Sequence, residues 1–116
     1  MKDETLGSGP VLRLFQVHTK PGCGAELIRK FARTSADVVA GQPGNQGYFF
    51  GHGVGADENY VVFTSVWRDL DAVKARFGDT WRDSFLPAGY EELIEDCSVR
   101  HIDVGTGWFV NIANDA

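Results

Sequence analysis

Six segments follow one another in the order β-α-β-β-α-β, which predicts an α+β fold with one four-stranded antiparallel sheet and two helices. Three observations carry this. Apolar residues recur at strand spacing in four stretches and at helical spacing in two. Gly, Pro and Asp turn signals separate the stretches. The chain has 116 residues, 43% of them apolar and 23% charged, which suits one ordinary globular domain with a single core. The order is that of the split βαβ, ferredoxin-like arrangement.

Residues 1–10 are polar and Gly/Pro-punctuated, and are expected to be a flexible tail. Residues 11–19, Val-Leu-Arg-Leu-Phe-Gln-Val-His-Thr, are β-rich and stop at Lys20-Pro21-Gly22, giving strand one. Over residues 24–40 the period becomes helical. Leu27, Ile28, Phe31, Ala32, Ser35, Val38 and Val39 form one stripe, and Glu26, Arg29, Lys30, Arg33 and Asp37 the other. Gly41-Gln42-Pro43-Gly44 ends this helix.

Residues 47–54 and 60–67 are the next two strands, joined across residues 55–59 as a hairpin. Both are apolar on both alternating faces, so both are expected to be covered on two sides. Asp69 is placed to cap a second helix with Leu70, Val73 and Phe77 on its apolar stripe and Gly78 at its end. Residues 79–95 are irregular, with Trp81, Phe85, Tyr90, Leu93 and Ile94 as packing residues. The last strand is expected at residues 98–104. The domain thus spans 11–104, and 105–116 form an apolar extension around Trp108, Phe109, Val110 and Ile112, expected to pack on a partner subunit.

Two helices cover one face of such a sheet. The other face, with Leu12, Leu14, Val62, Thr64 and Val66, is apolar as well. The economical cover is a second copy, sheet to sheet, in a two-fold homodimer.

Composition narrows the function. The net charge of −5 and the lack of a Lys/Arg cluster argue against nucleic acid. No apolar run nears the ~18 residues of a membrane span, and residues 1–10 lack a signal-peptide stretch, so a cytoplasmic location is expected. Cys23 and Cys97 are far apart and are expected to be free thiols. Neither GxGxxG nor GxxxxGK[ST] occurs, and the run Gly51-His52-Gly53-Val54-Gly55 precedes no helix, so it is not a phosphate cradle.

Four stretches resemble a known family: Val17-His18-Thr19-Lys20-Pro21-Gly22, Gln42-Pro43-Gly44-Asn45-Gln46-Gly47, Thr64-Ser65-Val66-Trp67-Arg68-Asp69-Leu70-Asp71-Ala72, and Ser98-Val99-Arg100-His101-Ile102-Asp103-Val104. Together they are similar to the antibiotic biosynthesis monooxygenase (ABM) domain family over residues 11–104. The resemblance implies a dimeric α+β barrel of two ferredoxin-like subunits. It also implies one of several activities: cofactor-free oxygenation of anthrones or quinols, haem degradation, or isomerisation of a phosphorylated sugar-derived signal. In the first two groups a pocket between sheet and helices is lined by a Trp that matches Trp67. The Asn that anthrone oxygenases place four residues earlier is Phe63 here, and the strand-one Asn is replaced around Phe15 and Gln16. Where haem degraders carry an iron-ligating His, this chain has Lys74, Arg76 and Phe77, so haem is disfavoured.

The candidate site follows from these readings. Trp67 offers an indole for stacking and hydrogen bonding. His52, on the same strand parity as Tyr48 and Phe50, is the candidate base for an acidic phenol or anthrone C–H. Phe15, Phe63 and Ser65 would line the pocket, while Trp81 and Arg82 would roof it and stabilise an oxyanion. His18, His52 and His101 show no metal-ligand spacing, and Cys23 has no neighbouring base, so no metal or other cofactor is expected. Against the enzyme reading stands a non-catalytic one, in which the same dimer binds a small hydrophobic ligand or serves only in assembly.

Overall fold

A computed structural model describes residues 9–105. The expectations for residues 1–8 and 106–116, including the partner-wrapping role of Trp108 to Ile112, lie outside the described residues.

Strand β1 (Val11–Thr19) alternates strictly between buried and half-buried residues. Its odd positions face the helices, and its even positions face away. Strand β3 (Tyr60–Trp67) pairs antiparallel with β1, Phe15 opposite Phe63 and Arg13 opposite Ser65. Strand β2 (Asn45–His52) lies outside β3 and β4 (Ile94–Asp103) outside β1, giving the order β2-β3-β1-β4. This is the expected ferredoxin-like sheet. Two bulges bend it. Between Asn45 and Gly47 the register slips by one residue, and the Asn45 amide fills the gap by accepting from the Gly47 N–H and donating to the Val66 carbonyl. Between His18 and Thr19, β4 carries one extra residue.

The first helix is three segments in one run: α1 (Gly24–Lys30), a π-helical turn (Phe31–Ser35) and α2 (Ala36–Val39). Four of its five buried residues, Leu27, Phe31, Ser35 and Val39, are spaced four apart, and Ala36 is the fifth. Four residues of ideal α-helix rotate ~400°, so such a stripe drifts ~40° per step off the sheet. The wider π turn, with the Ala36 N–H bonded to the Phe31 carbonyl, takes up that drift. The Tyr90 hydroxyl braces the turn: it donates to the Lys30 carbonyl at 3.0 Å and lies 2.7 Å from the Ser35 hydroxyl. Helix α3 (Leu70–Phe77) starts where the Asp69 carboxylate accepts the Ala72 N–H at 2.9 Å. It ends at Gly78, whose φ of 72° is left-handed.

The core lies between these helices and the odd face of the sheet, where Val17, Val61, Phe63 and Trp67 meet Leu27, Phe31 and Val73. Three expectations are corrected. The long helix is not uniformly α, and Ala32 faces solvent. β2 is an edge strand, not one covered on two sides, and Phe49 is 56% exposed. The last strand begins at Ile94, four residues before the expected start, because the bulge disguises the alternation there. No helix among the described residues is long and apolar enough to cross a membrane.

Candidate functional site

The sheet and the first helix do not close completely. Between them lies a pocket of about 370 Å³, open at its mouth. The floor is Arg13 and Phe15 of β1 with Phe63 and Ser65 of β3. The walls are Ser35 and Val39 on one side and Phe77 on the other, and half-exposed Phe85 stands at the mouth. Strand alternation creates this floor: positions 13 and 15, and 63 and 65, share the parity that faces the helices.

Three polar side chains, Ser35, Ser65 and Arg13, line an otherwise apolar cavity. Ser65 Oγ accepts the indole N–H of Trp67 at 2.8 Å, which leaves the Ser65 proton free to point elsewhere. Arg13 is only 5% exposed. Its guanidinium lies 3.8 Å over the Phe77 ring and donates to the carbonyls of Trp81 at 2.5 Å and Asp83 at 3.0 Å. It donates also to His101 Nε2 at 3.1 Å. Burial lowers the Arg13 pKa to about 10, so it stays charged at neutral pH. Burial, then the charges of Arg13 and Arg82, push His101 down to about 4. His101 is therefore neutral at pH 7, as an acceptor must be.

The site residues expected from sequence fall into three places. Phe15, Phe63 and Ser65 line the pocket. Trp67 is fully buried behind it, bonded to Ser65 and edge-on to Phe77 at 5.9 Å. Trp81 and Arg82 stand beside the Arg13–His101 pair: the Trp81 ring meets His101 edge-on at 4.9 Å, and Arg82 lies 4.8 Å over Trp81. His52 is elsewhere, in a wider groove of about 1140 Å³ with Gln16, Phe49, Phe50 and Tyr60. Its Nδ1 lies 2.9 Å from the Gly53 carbonyl, which accepts from it and so leaves Nε2 as the basic nitrogen. His18 is outside both hollows, stacked on Tyr60 at 4.8 Å and 3.5 Å from Asp96. Cys23 and Cys97 are half-buried free thiols.

Sequence reasoning passed over Arg13, Ser35 and Tyr90. The signal for Arg13 was present: it shares parity with Val11, Phe15 and Val17, so a charge stands at a core position.

Comparison with known proteins fits this geometry. The sequence model of the family described as antibiotic biosynthesis monooxygenase matches residues 10–80, more than half of the chain. The chain belongs to that family. Among solved structures, a putative antibiotic biosynthesis monooxygenase from Caulobacter crescentus superposes with a TM-score of 0.66 at 19% identity, over 87% of this chain and 94% of that one. SnoaB, a cofactor-independent oxygenase from Streptomyces nogalater, gives 0.59 at 21%, over 80% and 90%. The heme-degrading protein Rv3592 from Mycobacterium tuberculosis gives 0.58 at 24%, over 86% and 99%. At these identities the likeness is one of fold. Among curated proteins, none matches the chain.

Haem, which part of the family implies, does not fit the residues present. No histidine lines the pocket, α3 contains none, and the Nε2 of His101 is taken by Arg13. Among the described residues no three His, Cys, Asp or Glu side chains gather as a metal site needs.

Proposed function

We propose that the chain is a cofactor-independent monooxygenase acting on a small flat aromatic of quinol or anthrone type, held between sheet and helices. The observation that carries this reading is the phenylalanine-lined pocket into which Arg13, Ser35 and Ser65 converge. Removing a C–H or O–H proton from such a substrate gives an electron-rich anion that reduces dioxygen directly. An anthrone methylene and O2 become a carbonyl and water, with no outside reductant. The protein supplies aromatic walls that exclude water and donors that stabilise the anion. In the proposal Phe15 and Phe63 hold the ring, the Ser65 hydroxyl, held in place by Trp67, is a donor, and Trp81 and Arg82 keep the Arg13 end positively charged. His52 is the base for substrate that extends past Phe50 into its groove, because its Nε2 is the unprotonated nitrogen.

The reading includes a cytoplasmic homodimer closed through the even face of the sheet, where Phe49, Tyr60 and Ile102 are 56%, 41% and 40% exposed. The narrow interior favours a second reading, that the pocket binds a small hydrophobic ligand without turning it over. Oxygen uptake by the purified protein over a panel of anthrones and quinols separates the two. Catalysis predicts saturable uptake above the spontaneous rate. Binding that quenches tryptophan fluorescence without uptake establishes the second reading instead.

A further inference from the structure

Arg13 is a cation in an apolar pocket, and the groups it hydrogen-bonds among the described residues are all neutral. Its acceptors are two main-chain carbonyls and the ring nitrogen of His101. The ion pairs among the described residues are His18–Asp96 and Arg68–Asp69, so no described carboxylate balances it. A buried guanidinium without a counter-ion is costly, and its charge adds to burial in lowering the pKa of His101. Holding two carbonyls and a ring nitrogen needs N–H donors but not a charge. Arg13 offers five N–H groups and spends three on these contacts, among the described residues. Its face is fixed by Phe77 at 3.8 Å, and the same side chain forms part of the pocket floor. A planar fork held in place beside aromatic walls matches a planar anion.

We infer that the pocket's ligand carries an anionic oxygen, a carboxylate or an ionised phenol on a flat ring, and that Arg13 receives it. This rests on the pocket being a ligand site. The ring lies against Phe15, Phe63 and Phe77, and the anion supplies the counter-charge that the described residues do not provide. Phe85 at the mouth moves aside to admit the ring.

The test is a titration of the purified protein at pH 7 with naphthalene-2-carboxylate and with its neutral isostere naphthalene-2-carboxamide, and a pH titration of bound 2-naphthol followed by absorbance. For a carboxylate, the acid binds roughly ten- to hundredfold more tightly than the amide. For a phenolate, the ionised naphthol band appears at lower pH in the complex than in free solution. Arg13→Gln abolishes the preference for the acid over the amide and the shift of the naphthol band. If acid and amide bind alike and naphthol ionises at its free pH, the inference is overturned and the ligand site stands. If none of the three binds, the site and the inference fall together. A preference for the acid that survives in folded Arg13→Gln also overturns the assignment. Should that variant not fold, the comparison on the natural protein decides the matter, with Arg13→Lys retaining only part of the preference.

Discussion

His101 links the site to pH through one residue. Its folded pKa is about 4, below the ordinary 6.5, from burial first and then from Arg13 and Arg82. Between those values the unfolded chain binds a proton that the folded chain does not. Stability therefore rises with pH across that window and is lost as pH falls from about 6.5 toward 4. Thermal melts at a series of pH values are expected to show this decline, and His101→Gln should flatten it. Trp67 carries a second prediction. Fully buried and donating to Ser65, it holds the pocket from behind. Trp67→Phe removes that donor and part of the ring, and should cost about 1–3 kcal/mol in a denaturant melt. Retention of full stability would mean that the indole packs less tightly than its zero exposure indicates.

At the scale of elements, β1 was legible to the residue because its burial alternates along its whole length, and β3 because its run of β-branched and aromatic residues is bounded by turn signals. Helix α3 was legible from Asp69 and Gly78, since a capping carboxylate and a left-handed glycine act locally. The rest failed for physical reasons. The π turn answers a four-residue stripe that also reads as an ordinary helix. The edge position of β2 depends on which strands lie beside it. Of the candidate site, Phe15, Phe63 and Ser65 were legible by parity, but the Arg13–His101 pair joins residues 88 apart in sequence and exists only through the β1–β4 register. Gly44 tests how the first helix, β2 and α3 fit together. It has a φ of 84°, and a Cβ there would stand 2.5 Å from the Cβ of Ala72. Gly44→Ala should lower stability by more than the ~1–2 kcal/mol of left-handed strain alone. Gly22→Ala, with φ 81° and open space around it, should show that strain only. Equal melting shifts for the two would mean that the loop yields freely.

For the whole molecule, the sheet has one face under helices and one without. Leu12, Leu14 and Val62 on the second face are half-buried within the chain, and Phe49 is more exposed still. A dimer closed on this face should bury more than ~2,000 Å² in total. Val62→Asp is the sharper probe, because Thr64 is already buried in the single chain, whereas Val62 is half-buried there and would be covered by a partner. Sedimentation at micromolar concentration should show a dimer for the natural chain and a folded monomer for Val62→Asp; a natural monomer would contradict the dimer.

The central claim is that the aromatic ring binds between sheet and helices, and that only a substrate longer than naphthalene reaches the groove beside His52. Backbone-amide NMR of the protein titrated with naphthalene-2-carboxylate tests it most directly. The account predicts saturable shifts centred on Arg13, Phe15, Ser35, Phe63 and Phe85, with His52 and Gly53 moving little. Shifts confined to Gln16, Phe49, His52 and Tyr60 would contradict it and move the site to the groove.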